Sequence, residues 1–136
     1  MADSESVVRA FLAAIGDGCD VDTASQYMAD DVSFQMAGMP PLAGKEAWRQ
    51  MGLGFQVAFP DLSLTVLSAV ADGDRVAAQW TWSGTHQGDL MGIPATGKRV
   101  EVGGAGFYRV TDGLIRSEWV IEDMLSVMQQ LGVVPT

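Results

Sequence analysis

Two Asp-Gly dipeptides divide the C-terminal half of the chain into hairpins. Asp72-Gly73 and Asp112-Gly113 each stand between runs in which apolar and polar residues alternate. Asp-Gly is a strong signal for a two-residue hairpin turn, and alternation is typical of a strand with one buried face. The pattern therefore predicts two hairpins, with strands over 62–70 and 74–86 in the first and over 98–110 and 114–122 in the second.

The rest of the chain has helical periodicity. Apolar residues recur three and four positions apart over 3–16 and 44–59, and a shorter helix is predicted over 22–28. A short strand is predicted over 31–36, and Asp123 is a plausible N-cap for a terminal helix over 123–131. Helices segregated from an antiparallel sheet give an α+β domain, and the length suits a single domain over residues 1–136.

The strand predicted over 98–110 has three glycines in its middle, Gly103, Gly104 and Gly106. Glycine inside a strand usually marks a bulge, a sharp bend or a close backbone neighbour. We therefore expect a strongly curved sheet, which the helices close into a cone with an apolar interior.

The charge balance restricts the partners. Seventeen Asp and Glu residues against eight Lys and Arg give a net charge of −9. This charge repels nucleic acid and anionic membranes, so neither is an expected partner. No apolar run reaches the roughly 18 residues of a membrane span. The acidic N-terminus lacks the basic start of a signal peptide, so we expect a cytoplasmic protein.

The sequence also argues against metal and cofactor sites. One histidine and one cysteine do not make a zinc site. The glycines at 103, 104 and 106 lie inside a strand and open no helix, so they are not a dinucleotide-binding fingerprint. We expect acid–base chemistry with no metal and no cofactor.

His86, the only histidine, ends the strand predicted over 74–86. Alternate residues of that strand, from Val76 through Trp80 and Trp82 to His86, share one face. An apolar wall that ends in a titratable group beside a loop over 87–97 suits the lining and rim of a small-molecule pocket. His86 is therefore a candidate proton-transfer group. The alternative is a structural histidine that hydrogen-bonds a loop carbonyl.

Two carboxylates near the end of the last strand are further candidates. Asp123 could be a catalytic base with a raised pKa at the mouth of the cone, or a helix cap, or both. Glu118 shares its strand face with Val120 and Glu122. The opposite face, with Trp119 and Ile121, is more apolar, so periodicity alone indicates that Glu118 is solvated.

Aromatic and methionine side chains suit flat apolar ligands. Tyr108 could donate to a carbonyl oxygen, although a structural role is favoured for it. The candidate substrate contacts are Trp80, Trp82, Trp119, Tyr27, Met91 and Phe55.

Several short motifs occur in a characteristic order. They are Phe59-Pro60-Asp61-Leu62, Gly84-Thr85-His86-Gln87-Gly88, Gly92-Ile93-Pro94-Ala95-Thr96-Gly97-Lys98, Asp112-Gly113-Leu114-Ile115, Glu118-Trp119, Asp123 and Gln129-Gln130-Leu131-Gly132. In order and spacing they resemble the SnoaL-like polyketide cyclases, also called ester cyclases. The order of elements resembles the nuclear-transport-factor-2-like fold, a cone-shaped α+β barrel with a curved antiparallel sheet packed on N-terminal helices.

The resemblance implies a cofactor-independent cyclase or isomerase that acts on an apolar, polyketide-like carbonyl compound. His86 matches the family's assisting histidine. The family's acid–base aspartate falls at Val120 when the chain is counted without gaps, and Asp123 matches an aspartate of the ester-cyclase branch. The resemblance also turns the face of Glu118 toward the pocket, against the periodicity.

The same fold hosts non-catalytic binding domains and epoxide hydrolases or hydratases. A hydrolase typically needs a carboxylate pair with an arginine between, of which Arg116 and Glu118 give a weak version. The resemblance further implies a homodimer formed through the outer face of the sheet.

Overall fold

The computed structural model describes residues 3–136 and has the predicted order of main elements. The helices are α1 (Ser4–Ile15), α2 (Val21–Ser25), α3 (Lys45–Ala58) and α4 (Met124–Leu131). The strands are β1 (Met28–Met36), β2 (Leu42–Ala43), β3 (Ser63–Asp72), β4 (Arg75–Thr85), β5 (Arg99–Thr111) and β6 (Leu114–Glu122). The predicted α+β class is confirmed.

The six strands form one sheet in the order β2-β1-β6-β5-β4-β3. Both predicted hairpins are present, because β3 pairs antiparallel with β4, and β5 with β6. Two features were not predicted: the two-residue strand β2, and the parallel pairing of β1 with β6. In β5 the register shifts between Arg109 and Val110, outside the glycine-rich stretch at 103–106.

The helix ends follow local capping. Asp3 caps α1 through a 2.8 Å bond from Ser6 N, and Asp123 caps α4 as predicted. The predicted start of α2 at residue 22 is wrong, because Asp20 is its N-cap and accepts bonds from Thr23 N and Thr23 Oγ1. This helix ends at Ser25 rather than residue 28, and β1 begins at Met28, three residues earlier than predicted.

The core lies between the inner face of the sheet and the helices. Phe11 of α1 packs on Trp48 of α3 and on Tyr108 of β5, with ring centroids 5.6 and 6.0 Å apart. On β4 the predicted apolar face is buried along its whole length, from Val76 to Trp82, and so is His86 just beyond it. Among residues 3–136 no helix is long and apolar enough to cross a membrane.

Strand β6 reverses the expectation from periodicity. Glu118 and Val120 are buried on its inner face, whereas Trp119 and Ile121 on its outer face are 37% and 47% exposed. The outer face is apolar without being buried, since Trp119 packs on the exposed Phe107 with ring centroids 5.8 Å apart. The prediction from periodicity alone, that Glu118 is solvated, is therefore wrong. The homodimer stays a prediction.

Candidate active site

A cavity of about 100 Å³ lies between the inner face of the sheet and helices α1 and α3. Its walls are mostly aromatic and aliphatic, as the cone-shaped interior predicts. Four ionisable side chains line it: Cys19, Tyr108, Glu118 and Glu122. Its lining, drawn from residues 3–136, contains no lysine, arginine or histidine. The chemistry of this cavity therefore depends on two carboxyl groups in apolar surroundings.

Glu118 is 5% exposed, and its Oε1 accepts a hydrogen bond from Trp48 Nε1 at 3.2 Å. Burial raises the pKa of this carboxyl from 4.5 to about 7, an effect that Tyr108 and Trp48 partly offset. A carboxyl group that titrates near neutrality can both accept and donate a proton at neutral pH. This is the property that acid–base catalysis requires.

Tyr108 stands opposite Glu118, because the two residues are paired in the β5–β6 ladder. Its hydroxyl is buried and has no hydrogen-bond partner within the described part of the chain. Burial raises the pKa of Tyr108 well above its usual value, and the nearby charge of Glu118 adds to this. The phenol therefore stays protonated, and its O–H can donate to Glu118 or to a ligand in the cavity.

Glu122 lies four residues beyond Glu118 on the same face of β6. Its Oε1 accepts from Trp80 Nε1 at 3.1 Å, and its Oε2 accepts from Trp82 Nε1 at 3.1 Å. Burial raises the pKa of Glu122 to about 7; the bonds from Trp82 and Trp80 oppose this, and the charge of Glu118 adds to it.

Gly104 makes the contact between Glu122 and Trp80 possible. It pairs with Trp80 on one side and with Glu122 on the other, so it separates them in the sheet. A Cβ at position 104 would lie 2.6 Å from Trp80 Nε1 and would overlap the Glu122 carboxylate. The mid-strand glycines were predicted to mark a bulge, a sharp bend or a close backbone neighbour. At Gly104 the close neighbours are side chains, and Glu122 was not among the predicted site residues. The sequence feature that could have identified Glu122 is its position on the same face of the last strand as Glu118.

His86 lies outside the cavity lining and is fully buried. Its Nδ1 accepts from Thr96 N at 3.2 Å and lies 3.0 Å from Thr96 Oγ1, while its ring packs on Phe59. Because Nδ1 accepts a backbone N–H, the ring proton is on Nε2. The backbone of His86 also pairs with Gly97 and Lys98, so this residue closes the 87–97 loop onto the end of β4.

Asp123 also lies outside the cavity. Its side chain is exposed, and Oδ1 accepts from Ser126 N at 3.1 Å at the start of α4. Arg116 does not pair with Glu118; it donates to the carbonyl and hydroxyl oxygens of Thr111. The carboxylate–arginine arrangement considered for a hydrolase is therefore not formed.

The predicted substrate contacts fall into two groups. Trp80, Trp82 and Phe55 line the cavity. Tyr27, Met91 and Trp119 do not: Met91 is 56% exposed in the 87–97 loop, and Trp119 is on the outer face. The structure thus brings Glu118 together with Trp80, Trp82 and Phe55, and separates it from His86 and Asp123.

Comparisons with known proteins agree with this architecture. Aklanonic acid methyl ester cyclase DnrD of Streptomyces peucetius is 33% identical over 94 residues, which span 68% of this chain and 65% of DnrD, under two thirds of that protein. The proposed hydroxylase AclR of Streptomyces galilaeus superposes with a TM-score of 0.86 at 28% identity, over 98% of this chain and 83% of AclR. The proposed polyketide cyclase IdmH of Streptomyces antibioticus gives a TM-score of 0.81 at 29% identity, over 96% and 99% of the two chains.

The sequence profile of one family matches nearly the whole chain, over residues 6–131. That match includes the cavity-lining residues of α1, α3 and the sheet. The chain therefore belongs to the SnoaL-like polyketide cyclase family.

Proposed function

We propose that this protein is a cofactor-independent acid–base enzyme that closes a ring within an apolar, polyketide-like carbonyl compound. Membership of the family and the resemblance to DnrD, a named ester cyclase, support the substrate class. The observation that carries the proposal is Glu118, a buried carboxyl with a pKa of about 7 that faces an apolar cavity beside the protonated phenol of Tyr108.

The reaction begins when the Glu118 carboxylate removes a proton from the carbon next to a carbonyl group. The electron pair of that C–H bond moves into an enolate, and the Tyr108 hydroxyl donates a hydrogen bond to its oxygen. The enolate carbon attacks a second carbonyl carbon of the same molecule, which forms the ring and leaves an alkoxide that takes up a proton. Product and substrate are isomers. The walls contribute by holding the two carbons close together, and Tyr108 by stabilising the developing charge.

The test is the rate of ring closure by the Glu118→Gln variant, with heptane-2,6-dione as a small diketone substrate. The amide cannot accept the proton, so kcat/KM falls on the order of a hundredfold or more. Folding is preserved at pH 5, since Gln resembles the protonated acid. Glu101→Gln is the matched control, because Glu101 is an exposed glutamate on β5 outside the cavity lining, and its kcat/KM stays at the wild-type level.

His86→Gln and Asp123→Asn test the two candidates that lie outside the cavity. Both variants keep the wild-type kcat, because neither side chain lines the cavity and Asn caps a helix about as well as Asp. The proposal is contradicted if either variant loses a hundredfold in kcat while Glu118→Gln retains full activity.

A further inference from the structure

The proposed reaction leaves Glu122 without a role, although it is the second carboxyl group of the same cavity. Two indole N–H groups fix its two oxygens, which is more than a solvated surface glutamate needs. Gly104 leaves the space in which Trp80 and Glu122 meet. The sheet is thus built to hold this carboxyl in one position.

Glu118 and Glu122 reach the cavity at two separate places. They lie on one face of β6, and a separation of four residues places their Cα atoms about 13 Å apart along a strand. Ring closure by an enolate also develops negative charge on two different oxygen atoms of the substrate. Charge develops first on the oxygen of the enolised carbonyl, and then on the oxygen of the carbonyl that is attacked. The Tyr108 hydroxyl has a single proton to donate, so it can serve only one of these two oxygens at a time.

We propose that Glu122, held by Trp80 and Trp82, is a second catalytic residue that protonates the oxygen of the attacked carbonyl, and that the substrate is a compact, neutral dicarbonyl compound. This inference rests on the proposed function. It assigns opposite tasks to two carboxyl groups of one strand: Glu118 starts the cycle ionised, and Glu122 starts it protonated.

The proton balance is closed. Glu118 gains the proton of the C–H bond, and the Glu122 carboxyl gives its proton to the new alkoxide, which becomes a hydroxyl group. After the product leaves, Glu118 carries a proton and Glu122 is ionised. Exchange with water in the emptied cavity restores the starting state. Since both groups have a pKa of about 7, neither return step is strongly uphill at neutral pH.

The size and charge of the cavity define the substrate class. A volume of about 100 Å³ is well below the 300–1,000 Å³ of sites for drug-sized ligands. Two carboxyl groups with no basic side chain in the described lining disfavour an anionic substrate. A linear 1,5-diketone, which closes to a six-membered ring, satisfies both limits.

The first experiment follows the ionisation of Glu122 through the indole N–H signals of ¹⁵N-labelled protein. The signals of Trp80 and Trp82 shift with a midpoint near pH 7, and Glu122→Gln abolishes the shift. The other ionisable groups that face the cavity are Glu118, Tyr108 and Cys19, and Trp48 reports on Glu118. Trp119, on the outer face, is the control and does not shift. Flat Trp80 and Trp82 signals between pH 5 and 9, or a midpoint near pH 4, overturn the inference.

The second experiment separates the two proton transfers with heptane-2,6-dione in heavy water. Deuterium entering next to a carbonyl group reports proton removal, and the cyclic product reports the whole reaction. Glu122→Gln raises the ratio of exchange to ring closure at least tenfold, because the enolate forms but the alkoxide lacks its acid. Glu118→Gln lowers exchange and closure together. The anion 5-oxohexanoate, similar in shape, exchanges at least tenfold more slowly than the diketone.

The outcomes distinguish the inference from the proposed function. An unchanged ratio in Glu122→Gln, whether both rates fall or neither does, overturns the role of Glu122 and leaves that of Glu118 standing. A wild-type protein that neither exchanges nor closes the diketone overturns the proposed function, and this inference with it. Equal exchange of 5-oxohexanoate and the diketone overturns the neutral substrate class.

Discussion

The two faces of strand β6 differ in burial, and the difference is opposite to the one that residue hydrophobicity predicts. The inner face carries two carboxyl groups, Glu118 and Glu122, in an apolar cavity, whereas the outer face presents Trp119 and Ile121 to solvent. An ordinary half-buried strand would place these residues the other way round. Burying carboxyl groups opposes folding unless they are hydrogen-bonded or protonated. Both have indole donors and a pKa of about 7, so both conditions are met in part.

This inversion shows that apolarity and burial are separate properties at a functional site. The inner face keeps carboxyl groups whose burial opposes folding, and these groups border the cavity, where a ligand can contact them. The outer face retains apolar groups without neighbours to cover them, a pattern typical of a surface that meets another protein. Each of the next three predictions changes one face of the sheet and uses an exposed or unobstructed position elsewhere as its control.

The largest effect is expected from adjacent glycines of β5. Gly104→Ala places a methyl group against Trp80 Nε1 and the Glu122 carboxylate. Overpacking of this kind costs about 1–3 kcal/mol in the free energy of unfolding. We also expect ring closure to slow at least tenfold. At Gly103 a Cβ meets no atom of residues 3–136 within 4 Å, so Gly103→Ala changes the free energy of unfolding by less than about 1 kcal/mol. Equal effects of the two substitutions would contradict the close contact at Gly104.

The pH dependence of stability gives the next largest effect. The pKa of Glu118 is about 7 in the folded protein and near 4.5 when unfolded, so folding favours the protonated form. Its contribution to stability is fully present below pH 4.5 and is lost as the pH rises through 7. Glu118→Gln removes this loss, and the variant gains on the order of 1–3 kcal/mol relative to wild type between pH 5 and 8.

Denaturant unfolding at pH 5 and pH 8 measures this difference. Glu101→Gln is the control, because Glu101 is exposed and the same unit of charge is removed. If the two variants show the same change relative to wild type between these pH values, Glu118 is not a carboxyl with a raised pKa.

The last of these three predictions concerns the outer face of the sheet, where we expect no change in activity but a twofold change in the mass of the particle in solution. We predict a homodimer in which this face is covered by a second copy, and a substitution of Ile121 by Lys should give a monomer. Val57→Lys is the control, since Val57 is 62% exposed on α3 and so lies on the opposite layer. Light scattering at micromolar concentration distinguishes the two masses. A wild-type monomer, or a dimer that persists in Ile121→Lys, contradicts the prediction.

Much of the fold could be predicted because its signals are local. Asp72-Gly73 and Asp112-Gly113 fixed the two hairpins, and the N-cap at Asp123 fixed the start of α4. The parallel pairing of β1 with β6 could not be predicted in this way, since it joins residues 84 to 87 positions apart with no turn to mark the register. The two-residue strand β2 is too short to show alternation.

The candidate site was less predictable, because residue type does not reveal which side chains face empty space. His86 has the chemistry of a proton-transfer group, but Thr96 and Phe59 enclose it. Glu122 has an ordinary side chain and gains its properties from Trp80, Trp82 and a glycine on two other strands. Only the pairing of β4, β5 and β6 brings those groups together.

The pH profile of kcat/KM for ring closure tests most directly whether buried carboxyl groups carry the reaction. With Glu118 ionised and Glu122 protonated, both near pKa 7, the profile is bell-shaped with its maximum near pH 7. Glu122→Gln should remove the alkaline limb. A profile with a single limb near pH 4, the ordinary range of an exposed carboxylate, would contradict the account.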